Sequence, residues 1–296
     1  MTRPRPNVLA SLAGLLLVAS LAGVALAQRY GRRPPPAPIT EDRRGVPDWK
    51  VDERFKNDVF TFVRVEYDSG GGGGGFGGGG RGRGRGGWSR WRTDYPDSDL
   101  NFSYRLQQLT ALKVNPEPIT LRLTDEKLFD HPFIYIIEPG ALVFAEEEVV
   151  ALRRYLLNGG FLMVDDFWGD DQYDNFYREI KRVFPEHEPR ELPLEHPIFQ
   201  CVYRLKEKPQ VPNIEAALYG RAEGITWEEG HGGNCRDVHY RGIEDDKGRL
   251  MAIICHNTDL GDGWEREGED PWYFKEFAEK KAYPMGINIV TYAMTH

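Results

Sequence analysis

The chain has 296 residues, 28% of them charged and 40% apolar, with a formal net charge of -8. That length, less a leader and a linker, holds one large domain or one domain with an appendage. An acidic chain lacks the basic footprint of a general nucleic-acid binder, and three cysteines are too few for a disulfide-built scaffold.

At the N-terminus, Arg3 and Arg5 precede an apolar run from Val8 to Leu26, and Ala25-Leu26-Ala27 is a small-residue cleavage pattern. Residues 1–27 therefore read as a secretory signal peptide. The alternative is an uncleaved anchor helix, since the run approaches the ~20 residues that span a bilayer. Both readings put the remainder outside the cytoplasm, periplasmic or extracellular, with that segment as its only membrane contact. Cleavage removes two arginines and no acid, so the charge moves from -8 to -10. An odd cysteine count leaves at least one of Cys201, Cys235 and Cys255 unpaired, and a Cys235–Cys255 bridge stays open.

Residues 28–56, which contain RRPPPAPITEDRRG, are rich in proline and charge and read as a disordered tether. The domain spans 57–296. It opens on a strand, VFTFVRVEY over Val59–Tyr67, followed by a Gly/Arg-rich insertion at 70–87. The RGRGRGG end of that insertion resembles RNA-binding arginine–glycine segments. In an exported acidic chain it reads as a solvated loop, whose length costs little closure entropy.

Asp97-Ser98-Asp99 offers N-caps for a helix carrying Phe102, Leu106 and Leu109. Ile119–Leu123 and Phe133–Ile137 are short strands, the second ending in the turn Glu138-Pro139-Gly140. Val149–Asp171, VVALRRYLLNGGFLMVDDFWGDD, is the most informative stretch. It reads as a helix, a glycine stop at Gly159, a buried strand over Phe161–Val164, and a burst of carboxylates. A helix over Tyr173–Phe184 stops at Pro185. Val238–Glu244 and Leu250–His256 then flank a DDKG turn as an antiparallel hairpin. Asp270 and Pro271 open a final helical region bearing Met285, Ile289 and Tyr292. The expected class is α/β: a flavodoxin-like, mainly parallel sheet with helices on both faces, plus a C-terminal antiparallel hairpin.

Parallel sheets gather ligands beyond the carboxyl ends of their strands. Asp165, Asp166, Trp168, Asp170 and Asp171 follow one such end. Asp165, Asp166, Asp170 and Asp171, with Asp174, suit Ca²⁺ or Mg²⁺, since crowded carboxylates repel unless a cation compensates. The competing reading is that they cap the next helix and pair with Arg178 or Lys181. A general acid/base pair could join Asp165 or Asp166 to His196 of LEHPIF; otherwise His196 only shapes the turn before Ile198-Phe199. His231, Cys235 and His239 are zinc-ligand types without an established spacing, in a glycine loop. Trp88, Trp91, Asp94, Tyr95 and Asp97 either form an aromatic-acidic platform for a saccharide or peptide, or pack the loop onto the sheet.

Four sequence words go together: RW-x-x-DYPDSDLNFSYRL from Arg90 to Leu106, LRRYLLNGGFLMVDDFWG from Leu152 to Gly169, RVFPEHE followed by LEHPIF, and GINIVTYA near the end. In these the chain resembles the bacterial family known as domain of unknown function 4159, over roughly residues 57–296. The resemblance implies a class I glutamine amidotransferase-like fold and carries no activity. Amidotransferases place a Cys in a G-x-C-x-G elbow after the strand matching Phe161–Val164, where this chain has Asp165-Asp166. Their thioester route needs a thiolate, so glutaminase activity is not expected. Cys255-His256 cannot supply it either, since neighbours on a strand face opposite ways.

The sequence thus describes an exported, non-catalytic domain that binds a small-molecule or saccharide ligand, or an envelope protein, at the strand-end cleft. The site candidates are Asp165, Asp166, Trp168, Trp91, Asp94 and Tyr95. Alternatives are a divergent hydrolase using Asp165 or Asp166 with His196, and a tethered envelope scaffold.

Overall fold

The computed structural model describes residues 43, 45–56, 58–70 and 89–296. The expected leader over 1–27, the tether as far as residue 42, positions 71–87 of the insertion and Trp88 lie outside the described residues.

Burial on both faces is what makes the sheet parallel. Phe133, Tyr135 and Ile137 point to one face and Ile134 and Ile136 to the other, and all five are fully buried. A strand with no solvent side needs a helical layer above and below it. Among the described residues the sheet has seven strands, the central ones buried in this way: β1 Val63–Glu66, β2 Ile119–Arg122, β3 Phe133–Ile137, β4 Phe161–Asp165, β5 Arg190–Glu191, β6 His239–Glu244 and β7 Leu250–His256. Their order is β2-β1-β3-β4-β7-β6-β5. The pairs from β2 through β7 are parallel, whereas β6 and β5 add antiparallel to that edge. The parallel part has the 2-1-3-4-5 order of doubly wound α/β sheets, whose ligand crevice lies where the order reverses, here between β1 and β3.

Helices α1 (Asp97–Leu109), α2 (Glu146–Leu157), α3 (Gly169–Val183), α4 (Ile214–Tyr219), α5 (Leu260–Glu265) and α6 (Tyr283–Thr295) surround it. Phe102 and Leu106 of α1 and Met285, Ile287 and Ile289 of α6 cover the Tyr135 face. Leu152 and Leu156 of α2 and Phe176, Ile180 and Val183 of α3 cover the opposite face. A π-helical stretch, Phe274–Ala282, leads into α6, and Asp270 accepts from the backbone N–H of Trp272 and Tyr273 as its predicted cap. Among the described residues no helix is long and apolar enough to cross a membrane.

Three local expectations need correction. Helix α1 has Pro96 at its N-cap position with no side-chain cap, and Ser98 and Asp99 are instead fully buried within the helix. Arg64 of β1 claims both, which outweighs the ~1 kcal/mol a cap supplies. The tether extends less far than its composition suggests. Arg43 is buried and donates to the Pro116 carbonyl, Val46 is buried, and Trp49 Nε1 donates to the Val114 carbonyl. All three cysteines are free, so no Cys235–Cys255 bridge forms.

Candidate functional site

Among the described residues, four that are not glycine adopt left-handed backbone angles: Asp94 (φ 62), Glu138 (φ 46), Asp166 (φ 55) and Asn257 (φ 59). Glu138, Asp166 and Asn257 directly follow the carboxyl ends of β3, β4 and β7, and Asp94 sits in the connection from β1 to α1. Such conformations cost on the order of 1–3 kcal/mol each, persist only where their surroundings impose them, and cluster at functional sites. Here all four line one edge of one sheet.

Their effect is to turn carboxylates inward. Oxygens of Asp94, Asp166 and Asp259 lie within 4.8 Å of one another. Asp166 is 8% exposed and Asp259 4%. Among the described residues no hydrogen bond or ion pair reaches the side chain of Asp166 or Asp94, and Asp94 Oδ2 is buried without a partner. Asp259 has one partner, the Asp262 N–H donating to its Oδ1 at 2.7 Å.

Neighbouring acids are compensated. Asp165 Oδ2 accepts from the Gly261 N–H at 3.0 Å and the Tyr135 hydroxyl at 3.2 Å, leaving only Oδ1 unpartnered. Glu138 accepts from Arg90 at 2.7 Å and from the Thr93 hydroxyl at 2.9 Å. A second acidic group, Asp94 with Asp262 and Glu265, contains Arg266, whose Nε lies 3.2 Å from Asp262 and 2.6 Å from Glu265. Asp262 Oδ2 also accepts from the Ile214 N–H and the Tyr273 hydroxyl. That group shares a guanidinium of the protein's own, whereas among the described residues no ion pair reaches the trio Asp94, Asp166 and Asp259.

Electrostatics follow from this imbalance. Burial, then the charges of Glu138, Asp94, Glu228 and Asp165, holds the Asp166 carboxyl well above its usual range. Burial followed by the neighbouring Asp166 and Asp94 charges does the same to Asp259, and burial followed by Asp262 and Glu265 does so to Asp94. Asp165 is pushed up to about 7 by burial, against its hydrogen bonds from Gly261 and Tyr135. Three such groups stay together either by keeping protons or, once deprotonated, by sharing something cationic.

The family model for "Domain of unknown function (DUF4159)" matches residues 79–294. The chain belongs to this family. A search of curated proteins finds no match.

In this member of the DUF4159 family Arg64, which precedes the matched residues, positions the site loop. Its guanidinium donates to the carbonyls of Trp91 at 3.1 Å and Thr93 at 2.7 Å, on the approach to Asp94, while pairing with buried Asp99 at 2.5 Å. Gly261 keeps the Asp94 carboxylate close, because a β-carbon there would lie 2.8 Å from Asp94 Oδ2.

Among the predicted candidates, Asp166 and Asp94 meet, and Asp165 lies beside them. Asp170 and Asp171 do not join them and are corrected as metal ligands. Asp170 Oδ2 accepts from the Asn234 N–H at 2.9 Å, and Asp171 packs against Gly232. Gly169 (φ +74) forces this, since its backbone lies so close to the Gly232 carbonyl that a β-carbon would not fit. The expected pairing with Arg178 or Lys181 is also absent: Arg178 donates to Asn175 and Lys181 pairs with Glu188. Trp168 is 1% exposed, so it is a core residue and not a ligand platform. Trp91 and Tyr95 are partly buried, their rings 6.0 Å apart, and Arg64 sits 5.7 Å from the Tyr95 ring centroid. They pack the loop down while Asp94 turns in.

His196 is at the wrong edge to pair with Asp165 or Asp166. Its Nδ1 accepts from the Ile198 N–H, its ring lies 5.5 Å from that of Tyr292, and Glu244 is the carboxylate that acts on it. Glu244 pairs with Leu250, at the amino end of the parallel strands. The zinc-type trio is also dispersed, with His231 against Glu228, His239 against Glu191, and Cys235 buried beside the Gly233 carbonyl.

Asp259 was missed, along with Glu138 and Asn257. The signal for Asp259 is the run Asn257-Thr258-Asp259 directly after the strand Leu250–His256, the same arrangement as Asp165-Asp166 after Phe161–Val164.

Proposed function

We propose that this exported DUF4159 domain binds a divalent cation, Ca²⁺ or Mg²⁺, through Asp94, Asp166 and Asp259, and through that cation an oxygen-rich ligand or a partner protein. The observation that carries the reading is Asp166: a carboxylate 8% exposed, without a hydrogen bond among the described residues, aimed at two other carboxylates. Oxygens within 4.8 Å of each other can share one ion at the ~2.3–2.6 Å typical of calcium. Hard oxygen donors favour these cations over zinc, and three protein ligands leave coordination positions for a carboxylate, phosphate or sugar hydroxyl. The place also fits, because β1, β3 and β4 end at the switch point of the sheet. In an amidotransferase-like reading of this sheet, Asp166 stands on the strand-to-helix turn where those enzymes hold their thiol. That favours binding over thioester chemistry.

A cation that binds only the folded state stabilises it by about 2.7 kcal/mol at a hundredfold excess over Kd, or roughly 5 °C in melting temperature for a domain of this size. Calcium or magnesium at millimolar levels is expected to give such a shift, and Asp166→Asn is expected to remove it. Without cation, the same variant is expected to melt at or above the wild-type temperature, because it relieves like-charge repulsion. A melting curve unmoved by either ion sinks the proposal, as does a cation-free Asp166→Asn protein that is strongly destabilised.

Export rests on the leader pattern and predicts a mature N-terminus at Gln28 by mass spectrometry of the native envelope fraction. An intact Met1 form confined to the cytosol would count against it, and an intact membrane-bound form would indicate the anchor.

A further inference from the structure

A cavity of about 560 Å³ lies between helix α4 and the segment that follows it. Ala216, Gly220, Ile225 and the aromatic Tyr219 and Trp227 line it, and Glu215, Glu223 and Glu229 are its ionisable liners. Among the described residues, none of these glutamates has an ion-pair partner, and no lysine or arginine lines the cavity.

Two features ask for an occupant. Tyr219 is 94% exposed, so α4 ends by placing an aromatic ring in water, where it stabilises little. Three carboxylates beside aromatic rings, none with an ion-pair partner among the described residues, also make a local negative field. A positively charged group satisfies both, since the negative face of an aromatic ring attracts a cation within ~6 Å of its centroid. Trp227 already demonstrates that compatibility. The Arg236 guanidinium lies 5.2 Å from its ring centroid, while its Nε1 donates to Glu229 at 3.3 Å and ties ring and carboxylate together. A neutral sugar would leave the three charges uncompensated.

We propose that this cavity is a docking site for a lysine- or arginine-bearing segment of a partner protein, with the cationic side chain held between Tyr219 and Trp227 and paired with the glutamates. It is independent of the cation site, and neither stands or falls with the other.

The test uses the full chain and a fluorescein-labelled octapeptide alternating arginine and glycine, with a glutamine–glycine peptide as the neutral control. Saturable binding of the basic peptide alone is expected, weakening about tenfold or more between roughly 50 and roughly 300 mM salt as the carboxylates are screened. Glu223→Gln combined with Glu229→Gln should abolish it. Tyr219→Ala cannot unfold the domain, because the side chain is 94% exposed, and should weaken binding about three- to fivefold, the value of one cation–π contact. Equal binding of the neutral peptide, or affinity indifferent to all three substitutions, overturns the proposal. Binding that appears only after Arg81, Arg83 and Arg85 are changed to serine overturns it too, assigning the cavity to the chain's own arginine–glycine run.

Discussion

Arg64→Met is expected to destabilise the domain by about 3–5 kcal/mol, lowering its melting temperature by roughly 10 °C or more. Arg64 and Asp99 are both fully buried, joined by Nη2 to Oδ1 at 2.5 Å and Nε to Oδ2 at 3.0 Å. The same guanidinium donates to the carbonyls of Trp91 and Thr93 and to the Ser98 hydroxyl, and its centre lies 5.1 Å from the Tyr135 ring centroid. Methionine fills most of the volume but strands an ionised carboxylate in the core and orphans three further acceptors. Removing both charges, in Arg64→Met with Asp99→Leu, should recover much of the loss, as buried ion pairs exchanged for apolar pairs commonly do. The consequence reaches the site, since the anchored carbonyls lead to Asp94. The cation-induced rise in melting temperature should shrink in the double variant even where its stability recovers. Urea unfolding of the three proteins measures the effect. A loss below about 1 kcal/mol would show that Arg64 does not hold this segment.

The cation-free domain should become less stable as pH rises from about 5 to about 7.5, the reverse of most acidic proteins. Asp94, Asp165, Asp166, Asp259, Asp262 and Glu265 all have raised carboxyl pKa values in the fold, Asp165 and Glu265 to about 7, each chiefly through burial. In this window the folded state holds protons that the unfolded chain has released. Stability is therefore present on the acid side and lost as pH rises through the folded values, by up to about 1.4 kcal/mol per pH unit per group. Three histidines oppose this. His131, His196 and His256 are lowered by burial, His256 to about 4, so they lose stability as pH falls. Six carboxyls outweigh three imidazoles, and the acids lowered to about 2, such as Glu186 and Glu191, act below the window. A cation binds the deprotonated cluster, so saturating calcium should flatten or invert the slope, with the larger cation effect at pH 7.5. Melting temperatures that rise with pH in the absence of cation would remove the basis for the cluster's electrostatics.

The sheet was legible wherever burial on both faces leaves a continuous apolar run. Phe133–Ile137 and Leu250–His256 match their predicted bounds for that reason, and Phe161–Val164 falls one residue short. The stretch between Pro185 and Val238 was not legible, because side chains bonded across long sequence distances hold it. Asn288 of α6 accepts from the Val202 and Tyr203 N–H groups, and Gln210 donates to the carbonyls of Arg236 and Asn257. Such bonds have no period along the chain.

At the site, the sequence by itself determined that carboxylates gather beyond the ends of parallel strands, because an apolar run closing on acids is a local pattern. It pointed to Asp165 and Asp166 and to the loop carrying Asp94. Only the tertiary structure decided which of these face one another. Asp94, Asp166 and Asp259 come from connections far apart in the chain and meet because β1, β3, β4 and β7 bring their carboxyl ends to a common edge. Asp170 and Asp171, only a few residues beyond Asp166, are carried away by the start of α3 towards the glycine loop. Proximity across a sheet is set by strand order and by the backbone angle at each strand end, and neither is written in the spacing of neighbouring residues.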